Sequence, residues 1–339
     1  MLPPLPETDP TSLYRYRDGL YAADLLTAAI VELDLFTRLA ERPLSLQELS
    51  DALGVHPRPT DVMLTLFVAM ELLRRDGETY RLTPLASEHL VATAPLSLRP
   101  YYASFRMRPI VQDFVGILKT GRPRNWASAS HGEWVEAMKN PEFAREFTAA
   151  MDCRGLYLAR GVARAVAFKT HARLLDVAGG SGVYSCCLVE EHPHLRATIL
   201  ERPPVDDVAR KAIADRGFSD RVSVHAADML ADPFPEGFDV HLFSNVLHDW
   251  DVPRVTQLLA ASAASLPAGG IVVIHDAHLN DAKTGPLPVA AYSCLLMHSC
   301  EGRCYGSGEM RAILEHTGFT GVECLQTLGD RSVIVASKP

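Results

Sequence analysis

The chain lacks any run of about 18 uncharged apolar residues, so nothing in its 339 residues reads as a membrane-spanning helix. It has no CxxC pair. Its cysteines stand at positions 153, 186, 187, 294, 300, 304 and 324, an odd set without zinc-ribbon spacing, and reduced thiols are the plain reading. Positive charge is in the minority: 33 Lys and Arg face 41 Asp and Glu, a net charge of −8, which argues against a nucleic-acid partner. The opening MLPPLPETDP has neither a basic start nor an apolar stretch, so no signal peptide is visible and the cytoplasm is the expected compartment. Gly and Pro follow no period and apolar residues make up 47%, which excludes collagen-like and disordered classes. What remains is a globular chain long enough for more than one domain.

Its first hundred residues carry helical periodicity. Leu20, Leu25, Ala28, Val31 and Leu35 predict a helix over Asp18–Ala40. Ser45 and Glu48 have the spacing of a capping box, and Gly54 is a good residue to end that helix. Thr60 or Asp61 is expected to cap the next helix, running through Val62 to Leu73, with two short strands following around Asp76-Gly77. Helix, turn, helix and wing describe a winged-helix module over residues 1–100. The helix that would read DNA is apolar and has no Arg or Lys before Arg74, so it is expected to bury itself against a partner or a second copy. Residues 101–165 form a helical bridge rich in aromatics, among them Trp134 and Phe147, together with Met151. Such a bridge suits a pocket for a flat organic acceptor, or ordinary core packing.

Beyond Arg173 strands alternate with helices, and VECLQTL and SVIVAS read as a closing hairpin. The fold class is α/β: residues 166–339 form a Rossmann-like, doubly wound, mostly parallel sheet with a C-terminal antiparallel hairpin. Its first strand-to-helix turn reads Asp176-Val177-Ala178-Gly179-Gly180-Ser181-Gly182. Glycines here let a ligand approach the backbone, and an acid at the strand end suits a cationic sulfonium better than a pyrophosphate. Glu201 ends the second strand, where an acid fits the hydroxyls of a ribose. Asp228 and Met229 end the third, suited to an adenine amino group and ring. Each acid alone is also a plausible surface residue; three at successive strand ends point to a nucleoside site.

With these residues in view, LLDVAGGSG, Glu201, AADML, the segment Leu247-His248-Asp249-Trp250-Asp251 and IVVIHDA resemble the S-adenosylmethionine-dependent methyltransferases of the caffeic acid and acetylserotonin O-methyltransferase type. The winged-helix start and Pro141-x-Phe143 leading to Phe147 and Met151 are similar too, so the resemblance covers about residues 15–337. It implies a homodimer through the N-terminal domain, S-adenosylmethionine at Asp176, Gly179, Gly180, Gly182, Glu201, Asp228, Met229 and Ser244, and S-adenosylhomocysteine as product. His248 is then the general base that takes a proton from a phenolic or similar hydroxyl, with Asp249 beside it on the cofactor side. A small-molecule acceptor is expected near His298, Trp134, Phe147, Met151, Met297 and Cys304.

Plant members hold this histidine with a glutamate where an ungapped count gives Cys304 here; Glu301 stands three residues earlier. That departure opens a second reading. His248, Asp276 and His298 have the composition of a facial metal triad, in which a divalent cation would chelate a 2-oxo acid for C-methylation. O-methylation is the favoured reading, with His248, Asp249 and Asp276 as the catalytic set and no metal. An enzyme that keeps the cofactor without methylating, and a scaffold, rank lower.

Overall fold

The structure, a computed structural model, describes residues 2–124 and 137–339. Two compact units emerge, neither continuous in sequence. One holds residues 12–124 and 279–306, the other residues 2–11, 137–278 and 307–339 among those described.

The first unit begins with helices α1 (Thr11–Asp18), α2 (Ala22–Val31) and α3 (Leu35–Glu41), so the single helix expected over 18–40 is broken. The break before α3 has a cause the local pattern does not show. Asp34 adopts a left-handed backbone (φ +53°), and its carboxylate accepts from Thr37 Oγ1 at 2.7 Å and from Arg99 Nη1 at 2.5 Å. The capping box forms as expected at the head of α4 (Leu46–Leu53): Ser45 Oγ accepts from Glu48 N at 3.2 Å, and Glu48 accepts from Ser45 N at 2.8 Å.

Helix α5 (Pro57–Ala69) starts a turn earlier than the sequence suggested, because Pro57 suits the first helical position and His56 Nδ1 accepts from Arg58 N. Strands β1 (Leu44–Ser45), β2 (Leu73–Asp76) and β3 (Thr79–Leu82) pair antiparallel in the order β1-β3-β2, with Gly77 left-handed at the hairpin. Helices α6 (Pro84–His89), α7 (Arg99–Ala103) and α8 (Pro109–Thr120) follow.

The second unit is built on a seven-stranded sheet. Helix α9 (Pro141–Ala165) precedes β4 (Arg173–Val177), α10 (Val183–Glu191), β5 (Arg196–Glu201), α11 (Val205–Arg216), β6 (Val222–Ala226), β7 (Val240–Ser244), α12 (Val252–Ser265) and β8 (Ile271–Asp276). The chain then leaves the sheet for α13 (Leu287–Ser299), which belongs to the first unit and packs against α5 and α2. It returns as α14 (Ser307–His316), β9 (Thr320–Gln326) and β10 (Ser332–Ser337). The strand order is β6-β5-β4-β7-β8-β10-β9, parallel through β8, with β10 antiparallel to both neighbours. The doubly wound sheet with its hairpin is thus present. Strands β4, β7 and β8 are buried along almost their whole length, as expected of a parallel sheet covered on both faces.

One further sequence expectation needs correction. The apolar face of α5 is not left for a partner: Met63, Leu64, Leu66 and Phe67 are fully buried within the chain. Large apolar side chains exposed at the surface of the first unit include Leu13, Tyr16 and Leu20, and Tyr101 and Met107.

Candidate active site

Strand order places the carboxyl ends of β5, β4, β7 and β8 side by side, and the candidate residues sit there. Gly180 and Gly182 are left-handed, at φ +57° and +75°, conformations that favour glycine. A side chain at Gly182 would collide with Ile199, so that glycine serves packing of the turn on β5. Gly180 has nothing within 4 Å of where a Cβ would stand, so backbone faces open space there. Its N–H donates to Glu201 Oε2 at 3.0 Å, and the other oxygen accepts from Arg202 N at 2.9 Å. Glu201 is buried, and burial raises its pKa against the pull of those two N–H groups.

Asp176 lies fully buried at the end of β4, where Ser185 Oγ donates to its Oδ2 at 2.7 Å and Oδ1 has no hydrogen-bond partner. Burial pushes its carboxyl up to about 7, so a cation brought beside it would favour the charged form. Asp228 and Met229 are half-buried beyond β6, and Asp228 Oδ1 accepts from Leu230 N at 2.9 Å. Ser244 ends β7, half-buried.

The catalytic candidates follow at once. Asn245 takes a left-handed turn (φ +54°), donates its N–H to His275 O at 2.9 Å and its Nδ2 to Tyr184 OH at 3.0 Å. The chain then enters a 3-10 turn, Leu247–Asp249, that carries His248. Registry pairs Ser244 with His275, which puts Asp276 beside that turn. His248 Nδ1 and Asp276 Oδ1 are 2.5 Å apart, both side chains 5% exposed, and Ala277 N donates to the same oxygen at 2.7 Å. His248 Nε2 lies 3.6 Å from Asp249 Oδ1.

Burial alone would depress His248. Asp276 and Asp249 outweigh it and hold the imidazole above its ordinary value, although Arg154 on α9 acts against them. Asp276 is held well below the ordinary carboxylate range: burial would raise it, but the charge and hydrogen bond of His248 prevail. The neighbouring His275 and His278 are pushed down by burial to about 3 and about 4; they bond Thr327 Oγ1 and Ser332 Oγ and stay neutral.

The count pointed to Cys304, but the acid set against the His248 ring is Asp276. The signal was in the sequence as an acid ending the strand after the histidine's own. Among the described residues no three His, Cys, Asp or Glu side chains gather as a metal site. Of the alternative triad, His248 and Asp276 are engaged with each other, while His298 belongs to the helical unit and its Nε2 lies 3.1 Å from Asp113 Oδ2. Met297 and Cys304 are buried in that same unit, and Cys304 N donates to Ser293 Oγ at 3.1 Å. On α9, Phe147 stacks against Phe143, and both pack on Met138, Ala144 and Val205. Met151 Sδ accepts from Arg154 Nη2 at 3.5 Å. Trp134 lies outside the described residues. Sequence reasoning missed Tyr184, Asn245, Asp152 and Arg216, whose partners are far along the chain.

If Glu201 is a ribose acceptor, Glu201→Ala lowers affinity for S-adenosylhomocysteine about 10–100-fold, the worth of hydrogen bonds to a charged group. Calorimetric titration checks this, and unchanged affinity removes Glu201 from the site.

Residues 14–92 match the profile of the O-methyltransferase dimerisation domain, and residues 115–320 that of the O-methyltransferase domain. The tetracenomycin polyketide synthesis 8-O-methyl transferase TcmO of Streptomyces glaucescens is 30% identical, the match covering 97% of both chains. The acetylserotonin O-methyltransferase of Bos taurus is 29% identical over 96% of this chain and 97% of its own. Among solved structures, an O-methyltransferase family 2 protein from Planctomyces limnophilus, in complex with apigenin, superposes with a TM-score of 0.90 at 35% identity, covering 99% of this chain and 98% of that one.

Proposed function

This chain belongs to the O-methyltransferase family, a set of S-adenosylmethionine-dependent enzymes, and on that footing we infer that it methylates a phenolic or similar hydroxyl of a small planar acceptor with His248 as general base. The observation that carries this reading is the buried pair of His248 and Asp276. Asp276 accepts the Nδ1 proton, which fixes the tautomer and leaves Nε2 as the basic nitrogen. Charge favours the protonated imidazole, so a proton taken from the acceptor is retained.

The residues fit the donor: open backbone at Gly180, the carboxylate of Glu201 tied to that backbone, and the acids Asp176 and Asp228 at neighbouring strand ends. Bound S-adenosylmethionine supplies an electrophilic methyl group. The chain's own part is to seat it against Gly179, Gly180, Gly182, Glu201, Asp228, Met229 and Ser244, and to take the acceptor's proton at His248. Asp249, beside Nε2, adds negative charge there. Phe147 and Met151 on α9 supply apolar surface suited to an aromatic ring, and the apigenin complex of the Planctomyces protein supports a flat polyphenol as acceptor class. His298, Met297, Cys304 and Trp134 stand as acceptor-side candidates on the resemblance alone.

Exposed Leu13, Tyr16 and Leu20, inside or beside the matched dimerisation segment, support a homodimer. The helices and small sheet over residues 44–82 have winged-helix order, and the apolar helix that would read DNA is buried within the chain.

The test is S-adenosylmethionine carrying a ¹³C methyl, offered with phenols, hydroxyindoles and 2-oxo acids. Carbon NMR is expected to show the label bonded to oxygen, at a rate unchanged by a chelator. Label on the carbon beside a ketone, lost on chelation, would replace this reading with metal-assisted C-methylation.

A further inference from the structure

We propose that Asp152 is a positioning residue for the cofactor turn, acting through Ser181. The proposal rests on the reading of Gly179–Gly182 and Glu201 as the cofactor's seat. Ser181 stands between the two left-handed glycines and is buried; its hydroxyl donates to Asp152 Oδ1. Arg216, at the end of α11, holds both oxygens of the same carboxylate through Nη2 at 2.6 Å, with both side chains less than a fifth exposed. A charge-assisted contact from one guanidinium nitrogen to both oxygens pairs the carboxylate's charge and holds it in place.

A turn with glycine on both sides of one residue has many alternative shapes, and holding one of them requires ties from outside. Three carboxylates grip it. Asp176 holds the following helix from below through Ser185, and Glu201 holds Gly180 through its N–H. Glu201 is also the acid assigned to the ribose, so its oxygens are shared once the nucleoside arrives. Asp152 differs from both: it comes from α9, and its oxygens are engaged entirely within the protein. It therefore keeps the turn in shape before the cofactor binds.

Asp152, Ser181 and Arg216 border a cleft of about 200 Å³ between α9 and α11, lined also by Arg145, Thr148 and Ala149. Water entering there competes for the Ser181 hydroxyl when Asp152 is lost, so the turn relaxes rather than finding another buried partner. Asp152 is also next to Met151 on the helix assigned to the acceptor, so one helix carries the acceptor's apolar surface and steadies the donor's seat.

The experiment uses the full chain and S-adenosylhomocysteine, followed by calorimetry, with Asp152→Asn, Ser181→Ala, their double variant and Arg216→Met. Each single change at 152 or 181 is expected to weaken binding about 5–10-fold, and the double no more than the weaker single, because one contact is removed either way. The mild Ser181→Ala keeps the proposal decidable if Asp152→Asn does not fold. Ser181→Ala binding within twofold of the parent, or losses that multiply in the double, overturns the tether. So does full loss in Arg216→Met beside a silent Ser181→Ala, which assigns the effect to the ion pair. A parent chain that fails to bind S-adenosylhomocysteine overturns the seat itself, a separate result.

Discussion

His248→Ala lowers turnover about 10²–10⁴-fold and leaves affinity for S-adenosylhomocysteine within about twofold, the range general-base removal usually costs. In barrier terms that is about 3–5 kcal/mol. The separation follows from geometry. His248 sits on the 3-10 turn after β7, whereas the glycine turn, Glu201 and Asp228 are held by β4, β5 and β6. Stopped-flow turnover with the acceptor found by carbon NMR, beside calorimetry of the product, reads the two quantities independently. Equal loss of both would mean that the turn had collapsed or that His248 holds the cofactor.

Asp276→Asn should cost about 10²-fold or more in turnover and move the pH–rate profile toward acid. The sign comes from the charges around the imidazole. The base works as neutral imidazole, so rate rises with pH through the His248 pKa. In the native chain burial lowers that pKa, but Asp276 and Asp249 hold it above its ordinary value. With Asp276 neutralised, burial and Arg154 oppose Asp249 alone, the pKa falls, and the inflection shifts to lower pH. Asparagine keeps the shape but can present either its oxygen or its NH₂ to Nδ1, so the tautomer is no longer fixed. Combined with His248→Ala the loss should not add, since the carboxylate acts only through the ring. An unshifted inflection would mean that another group sets the profile.

Sequence reading reached the fold because its signals are local. The sheet showed as short apolar runs between helices, the glycine turn as a cluster of four residues past Asp176, and the head of α4 as a serine three residues before a glutamate. The reading failed where the decisive contact is distant. Arg99 fixes the left-handed Asp34 from 65 residues away, so no pattern within 18–40 foretells the break. The cover of α5 is α13, over two hundred residues later in the chain.

The site divides the same way. Asp176, Glu201 and Asp228 were legible as acids at strand ends. The partner of His248 was not assigned, because an ungapped count pointed to Cys304 while strand pairing brings Asp276 to the ring. Asp152 gave no signal at all, since its two partners lie 29 and 64 residues away on other elements.

The discontinuity of the helical unit has a consequence for how the chain is made. Its first 124 residues leave the ribosome long before α13, which covers the apolar side of α5. Until residue 306 has emerged, Met63, Leu64 and Phe67 have no native cover from that helix, and the sheet's first five strands are already available to pair. A chain stalled before α13 therefore leaves the apolar side of α5 without that cover and open to chaperones, and the sheet itself is completed only when β9 and β10 follow.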